Sequence, residues 1–123
     1  MSDSPEFRRL NETPAGVRLG PLEIIKDQHA RNFVLEIGDG RFHGFIVRKG
    51  EMVFGYHDSC PHRHVPLAQK LDDYLTPSGD FISCSWHGAL FKIEDGLCVG
   101  GPCSGESLRS WPVKVNGGIL TTA

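Results

Sequence analysis

Short apolar runs that alternate with polar residues and end at glycine-containing turns recur along the chain from Asn32 onward. In NFVLEIGDGRFHGFIVRKGEMVFGYHD, β-branched and aromatic residues occupy most of these runs, and turns fall at Asp39-Gly40 and Lys49-Gly50. Alternation of this kind, broken by tight turns, predicts β-strands joined by hairpins. The central part of the chain is therefore predicted to be an antiparallel sheet.

The same pattern continues towards the C-terminus. DFISC and ALFKI predict two further strands, and the turn at Glu94 to Gly96 leads into the strand LCV. WPVKVNGGILTT predicts a last hairpin, with Asn116-Gly117 as its turn. The whole pattern predicts an all-β, antiparallel fold.

Two segments depart from this pattern. PLAQKLDDYL, which begins at Pro66, is the one stretch with helical character, although it is short and interrupted. Residues 1–16 are polar and contain proline, so we expect them to be loosely ordered.

Length, charge and cysteine usage narrow the class of protein. The 123 residues suit a single domain over 1–123, and a net charge of −2 gives no basic footprint for nucleic acid. The first residues carry no apolar signal core, and no apolar run approaches a transmembrane length, so we expect a cytoplasmic protein without a membrane partner. In a chain of this kind, we expect the four cysteines to be metal ligands more often than parts of a disulfide framework.

Two of these cysteines lie in short motifs with a histidine. Cys60 and His62 stand two positions apart, and Cys84 and His87 stand three apart. Both motifs fall in predicted loops between strands, and Gly88 allows the backbone to turn just after the second one. Two such loops facing each other supply two thiolates and two imidazoles.

Two metal centres accept this set of ligands. One is a structural zinc ion with Cys₂His₂ ligation, and the other is a [2Fe–2S] cluster held by two cysteines and two histidines. Zinc modules usually pair cysteine with cysteine, whereas here each loop brings one residue of each kind. The spacing therefore favours the iron–sulfur cluster.

CPHRHVPL, CSWHGALFKIEDG and the later GGP together resemble the Rieske ferredoxins, the stand-alone type associated with oxygenases, from about Arg41 to the C-terminus. The resemblance implies an antiparallel β-sandwich with a small cluster-binding subdomain, made of two ligand loops within roughly residues 57–104. It also implies that Cys60 and Cys84 hold a buried iron and that His62 and His87 hold an outer iron. A third loop, Gly100 to Pro102, would cover the cluster.

The chain departs from the family pattern in two places. Twenty-one residues lie between His62 and Cys84, more than is usual, and the excess falls between Lys70 and Asp80, where we expect a longer surface connection. His64 stands where many relatives have glycine or another small residue. We expect a supporting or docking role, or simple solvation or packing, for a set of residues around the ligands: His64, Trp86, Gly88, Gly101 and Pro102.

The resemblance also predicts a low reduction potential. High-potential relatives carry a disulfide between the ligand loops and hydroxyl groups that donate to sulfur, whereas this chain has Val65 and Ser85 at the former positions and Ala89 and Phe91 at the latter. Sulfur atoms without hydroxyl donors stabilise the reduced cluster less, so the predicted potential is roughly −150 mV.

The other two cysteines, Cys98 and Cys103, flank the Gly-Gly-Pro loop. One interpretation is a redox-active pair beside the cluster; the other is two small thiols packed in a loop. Among the aromatic residues, Phe91 and Trp111 are predicted to be core.

No G-x-G-x-x-G dinucleotide motif is present, and the chain ends too soon after the Rieske-like region for an oxygenase catalytic domain. We therefore expect a non-catalytic electron carrier that accepts one electron from a flavin-containing reductase and docks transiently on a terminal oxygenase. Two alternatives remain. One is a small non-catalytic subunit of a larger complex such as an assimilatory nitrite reductase, and the other is a redox or iron sensor.

Overall fold

The computed structural model describes residues 8–61, 66–68, 70–85, 88–103 and 105–123. These residues form ten β-strands and one short 3₁₀ turn at Leu22–Ile24, which confirms the predicted all-β class. The strands are β1 (Arg8–Arg9), β2 (Arg18–Pro21), β3 (Ala30–Ile37), β4 (Gly40–Lys49), β5 (Met52–His57), β6 (Phe81–Ser83), β7 (Leu90–Lys92), β8 (Cys98–Gly100), β9 (Val113–Asn116) and β10 (Ile119–Thr122).

The largest sheet is built on two consecutive hairpins. Strand β4 pairs antiparallel with β3 on one side and with β5 on the other. The turns lie at Gly38-Asp39 and Gly50-Glu51, each one residue away from its predicted position. Strand β1 lies parallel to β4, which the prediction of a wholly antiparallel sheet did not include. Of the N-terminal residues expected to be partly loose, residues 1–7 lie outside the described residues, whereas the hydroxyl of Thr13 accepts a hydrogen bond from Trp111 Nε1 at 3.0 Å.

Two smaller sheets complete the fold. One has the order β2-β10-β9 and contains the hairpin predicted at Asn116-Gly117. The other has the order β6-β7-β8 and is formed by the strands predicted in DFISC, ALFKI and LCV. This third sheet holds the segments that carry Cys84, Cys98 and the Gly-Gly-Pro sequence.

Strand β4 lies between two hydrophobic cores because successive side chains of a strand point to opposite faces. Phe42 and Ile46 face a core that contains Trp111, whereas Phe45 and Val47 face a second core that contains Phe91. Both Trp111 and Phe91 are buried, as predicted. The second core also encloses all four cysteines, so the proposed ligand region is an extension of the main hydrophobic packing.

The described part of PLAQKLDDYL is not helical. Asp72 has a φ of 66°, and its backbone enters the left-handed region that interrupts a right-handed helix. No helix within the described ranges is long and apolar enough to cross a membrane.

Candidate metal centre

The first loop of the candidate site, called here the Cys60 loop (residues 58–67), begins where β5 ends. The Asp58 N–H donates to the carbonyl of His43 in β4 at 3.1 Å, which fixes the start of the loop to the sheet. The Asp58 carboxylate then accepts the backbone N–H of Leu67 at 2.9 Å. This bond joins the two ends of the loop, and Cys60 between them is fully buried.

The Asp58 carboxylate is itself buried, at 5% exposure, and a buried carboxylate requires hydrogen-bond donors. Besides Leu67, the hydroxyl of Tyr74 donates to it at 2.8 Å and the amide of Asn32 donates at 3.2 Å. Asn32 also bonds the Tyr74 hydroxyl at 2.8 Å. Three distant segments of the chain therefore converge on the side chain that closes the Cys60 loop.

Tyr74 is a residue whose role the sequence analysis missed. It lies in the segment between Lys70 and Asp80, which we expected to be a surface connection, but its ring is buried and stacks on Phe45 with centroids 4.2 Å apart. Burial, followed by the negative charge of Asp58, raises the pKa of Tyr74, so the hydroxyl remains a donor. The expectation is wrong at Tyr74 because an aromatic ring supplied enough apolar surface to draw the segment into the core.

Neighbouring Asp72 also anchors this segment. Its carboxylate accepts the backbone N–H of Asn32 in β3 at 2.7 Å. The inserted segment is therefore tied to the main sheet by both Asp72 and Tyr74. Asp72 is exposed to solvent, and its carboxylate also helps to hold the segment against the sheet.

The second loop, called here the Cys84 loop (residues 84–89), connects β6 to β7. The N–H of Cys84 donates to the carbonyl of Ala89 at 2.9 Å, and the N–H of Gly88 donates to the carbonyl of Cys84 at 3.0 Å. Gly88 has a φ of +69°, a conformation that glycine adopts without steric cost, as the predicted turn requires. Cys84 is buried at the base of this turn.

A backbone hydrogen bond joins the two loops. The N–H of Ser85 in the Cys84 loop donates to the carbonyl of Leu67 at the end of the Cys60 loop, over 2.8 Å. Leu67 is thus held through its N–H by Asp58 and through its carbonyl by Ser85. Both predicted cysteine ligands, Cys60 and Cys84, belong to the same buried cluster, and neither forms a disulfide.

The Gly-Gly-Pro loop (residues 98–103) packs against the Cys84 loop at Gly101, while the expectation that it covers a cluster stays a prediction. A Cβ atom at Gly101 would lie 2.7 Å from the Cα of Ala89, and Gly101 also has a φ of +89°. Only glycine satisfies both conditions, because any side chain would collide with the Ala89 backbone. Pro102 next to it is exposed.

Four of the predicted site residues, His62, His64, Trp86 and His87, lie outside the described residues. Within the described residues, no three histidine, cysteine or acidic side chains gather as a metal site. Because His62 and His87 lie outside the described residues, the predicted set of four ligands stays a prediction.

A cleft of about 560 Å³ adjoins the Cys60 loop at Ser59 and Pro61. Its lining includes Arg9, His57 and Arg109. Burial, followed by the charges of Arg109 and Arg9, lowers the pKa of His57 below its ordinary value. One side of the Cys60 loop therefore adjoins a cleft that two arginines and one glutamate line.

Comparison with known proteins gives three results. The model of the Rieske [2Fe–2S] domain family matches residues 21–113. The ferredoxin component of the p-cumate 2,3-dioxygenase system of Pseudomonas putida is 39% identical over 69 residues, which are 54% of this chain and 52% of the relative, so the match spans about half the length of that relative.

Two solved structures share the fold. The ferredoxin of carbazole 1,9a-dioxygenase from Nocardioides aromaticivorans IC177 is 21% identical, with a TM-score of 0.68 over 89% of this chain and 98% of that one. A chain of the complex of reduced oxygenase and oxidized ferredoxin in carbazole 1,9a-dioxygenase is 23% identical, with a TM-score of 0.68 over 87% of this chain and 100% of that one. These likenesses confirm the predicted Rieske-like fold.

The described residues fit the cluster after which the matched family is named. Cysteine sulfur is the ligand that iron–sulfur clusters use, and burial and hydrogen bonding around the sulfurs tune them. Cys60 and Cys84 are at most 1% exposed, and their loops are tied to each other through Leu67 and Ser85. The site thus has two thiol groups, shielded from water, on loops that are locked to one another.

Proposed function

Because this chain belongs to the Rieske [2Fe–2S] domain family, we propose that it is a one-electron carrier of an oxygenase system. It would accept electrons from a flavin-containing reductase and pass them to a terminal oxygenase. Membership of the family implies a Rieske-type [2Fe–2S] cluster as the cofactor. Such a cluster exchanges a single electron, and the protein sets its potential through its ligands and their surroundings.

We assign the four ligands to the two sequence motifs. Cys60 and Cys84 would hold one iron, and His62 and His87 would hold the other. The burial of both cysteines supports this assignment, because ligands within the hydrophobic core would shield a bound iron from water.

The observation that carries the carrier function is the contrast between buried ligands and exposed loop tips. Cys60, Cys84 and Ala89 are buried, whereas Gly88 in the Cys84 loop and Pro102 in the Gly-Gly-Pro loop are exposed. A cluster held by these cysteines would therefore lie close to exposed residues of the same two loops. A partner needs only a small, transient interface there to exchange an electron.

The similar proteins support the choice of an oxygenase system. One relative is the ferredoxin component of a dioxygenase system, and one structural neighbour was solved as a complex of oxygenase and ferredoxin. Transfer of that role to this chain is our proposal. These similarities favour an electron carrier over a subunit of a nitrite reductase and over a redox or iron sensor.

We also propose a potential near the low end of the Rieske range. Ala89 and Phe91 are both fully buried, and neither side chain offers a hydroxyl to a sulfur atom. With fewer donors to stabilise the added charge, the reduced cluster is disfavoured, and we expect roughly −150 mV.

The test is electron transfer measured directly. The reduced protein is mixed without oxygen with the terminal oxygenase of a ring-hydroxylating dioxygenase, such as p-cumate 2,3-dioxygenase, and its reoxidation is followed by the visible spectrum. Reoxidation by one electron per chain, together with turnover that depends on the added protein, is the expected result. Cys60→Ser should abolish transfer, whereas His64→Ala, beside the ligands, should load its cluster and remain competent.

Two results would contradict the proposed carrier function. A protein that loads its cluster but remains bound one-to-one to a large subunit, and never exchanges electrons as a free chain, would contradict the carrier function. Cluster-dependent binding to a regulatory partner without any electron transfer would contradict it as well.

A further inference from the structure

Two cysteines that the proposed electron carrier does not use are in direct contact. The thiol of Cys103 lies 2.9 Å from the sulfur of Cys98, and the thiol of Cys98 donates to the carbonyl of Gly100 at 3.1 Å. Cys98 is 2% exposed and Cys103 is 1% exposed. The pair lies at the base of the Gly-Gly-Pro loop and forms no disulfide.

The backbone holds the two sulfurs together. The N–H of Cys98 donates to the carbonyl of Glu106 at 2.7 Å, and the N–H of Gly105 donates to the carbonyl of Cys98 at 3.3 Å. The N–H of Glu106 in turn donates to the carbonyl of Cys103 at 2.9 Å. A disulfide bond is about 2.05 Å long, so the sulfurs need to approach by less than about 1 Å.

We propose that Cys98 and Cys103 form a redox site of their own, a dithiol that hydrogen peroxide converts to a disulfide while the cluster site remains intact. One thiol attacks the peroxide, which gives a sulfenic acid and one water. The second thiol then attacks that sulfur, forms the disulfide and releases the second water. Two thiols and one peroxide thus give one disulfide and two waters.

The consequence lies in the Gly-Gly-Pro loop, because the two cysteines are its ends. Gly101 within this loop packs on the backbone of Ala89, in the loop that carries Cys84. A disulfide would remove conformational freedom from the Gly-Gly-Pro loop and hold it against the Cys84 loop. The protein with the Cys98–Cys103 disulfide should therefore lose its cluster more slowly than the protein with two free thiols at these positions.

The buried thiols of Cys98 and Cys103 are expected to react slowly with peroxide. Burial, followed by the contact with Cys98, raises the pKa of Cys103 to about 12. A buried thiol reacts more slowly than an exposed thiolate. We therefore expect the pair to form the disulfide only during sustained exposure to peroxide.

The experiment follows the cysteines of the cluster-loaded protein during stepwise addition of hydrogen peroxide. At each step the visible absorption of the cluster is recorded, and the protein is denatured with a chelator and an alkylating agent. The chain has four cysteines. We expect four alkylated cysteines before peroxide and two afterwards, with the cluster absorption retained.

Digestion with trypsin identifies the oxidised pair. No lysine or arginine lies between Lys92 and Arg109, so Cys98 and Cys103 share one peptide, whereas Cys60 and Cys84 fall in two others. We expect the shared peptide to be unalkylated and lighter by two hydrogens. The proposal is overturned if this peptide remains fully alkylated, if either cysteine links to Cys60 or Cys84, or if the disulfide appears only after the absorption is lost.

Cys103→Ser is the matched variant for the effect on the loop. Peroxide treatment should slow thermal loss of the cluster at least twofold in the native chain and leave the variant unchanged; equal slowing in both would overturn the proposed locking. If the variant does not load a cluster, the peptide result on the native chain still decides the proposal. Neither readout requires an oxygenase, so the result is independent of the carrier function.

Discussion

The hydroxyl of Tyr74 donates a 2.8 Å hydrogen bond to the carboxylate of Asp58, across a separation of 16 residues. This bond connects the segment inserted between the two cysteine motifs to the side chain that closes the Cys60 loop. The inserted segment therefore takes part in shaping the proposed metal centre. Its contribution can be measured residue by residue.

Removal of the Asp58 carboxylate should open the Cys60 loop. In Asp58→Ala the buried donors of Leu67, Tyr74 and Asn32 lose their acceptor, and we expect the free energy of unfolding to fall by about 3 kcal/mol. Asp58→Asn keeps one carbonyl oxygen and should lose less. Chemical denaturation and the rate of cluster loss measure both effects.

Asp39 supplies the control, because its carboxylate is exposed and pairs only with Arg8 among the described residues. Asp39→Ala should change the stability by less than about 1 kcal/mol. A similarly small effect of Asp58→Ala would show that Asp58 does not hold the Cys60 loop.

The Tyr74 hydroxyl should matter for the cluster as well as for stability. Tyr74→Phe keeps the ring stacked on Phe45 but loses the bond to Asp58, and we expect a loss of about 1 kcal/mol together with faster cluster loss. Tyr56→Phe is the matched control, since its hydroxyl donates to the carbonyl of Ile93 and not to a residue of the Cys60 loop. It should lose similar stability and leave the rate of cluster loss nearly unchanged; equal rates in the two variants would contradict the proposed role.

The Gly-Gly-Pro loop offers a test of close packing. Gly101 and Gly105 have similar backbone conformations, with φ of +89° and +92°, but an added Cβ meets Ala89 at Gly101 and open space at Gly105. Both alanine variants are strained by about 1–2 kcal/mol, and only Gly101→Ala adds the collision. We expect Gly101→Ala to be the less stable by at least about 1 kcal/mol in thermal or chemical denaturation. Equal losses would mean that the Gly-Gly-Pro loop does not press on the Cys84 loop.

The lowered pKa of His57 predicts that the stability of the folded protein depends on pH. Its pKa in the folded protein is lowered from 6.5 by burial, then by Arg109 and Arg9, so below about pH 6.5 the unfolded chain binds more protons than the native chain. Stability from this group is therefore complete above pH 6.5 and decreases as the pH falls through the folded pKa. We expect His57→Gln to flatten the pH profile of the unfolding free energy in this range.

Exposed His29 is the natural comparison for His57. His29→Gln controls for the replacement of a histidine by glutamine at an exposed position. If His57→Gln leaves the pH profile of the native chain unchanged, burial and the charges of Arg109 and Arg9 do not lower the pKa of the His57 imidazole in the folded protein.

Local patterns made most of the fold predictable. The hairpin at Asn116-Gly117 and the strands around Phe91 follow from turn chemistry and alternation, which act between near neighbours. The cysteine motifs were equally readable, because their spacing is set within a few residues. Only the cysteine halves of these motifs lie within the described residues, where they occupy one buried cluster.

The missed features depend on residues far apart in the chain. Asn32, Asp58 and Tyr74 meet only after β3 has paired with β4 and the inserted segment has folded back onto the core. The parallel pairing of β1 with β4 is likewise a tertiary event, since Arg8 and Gly40 are distant in sequence. No local pattern contains this information.

The central claim is that two cysteines and two histidines hold one [2Fe–2S] cluster. The most direct measurement is an EPR spectrum of the dithionite-reduced protein, taken together with iron, zinc and sulfide analysis. The account predicts two irons and two sulfides per chain and a rhombic signal whose average g value lies below that of all-cysteine clusters. One zinc per chain with no EPR signal, or the spectrum of an all-cysteine cluster, would contradict it.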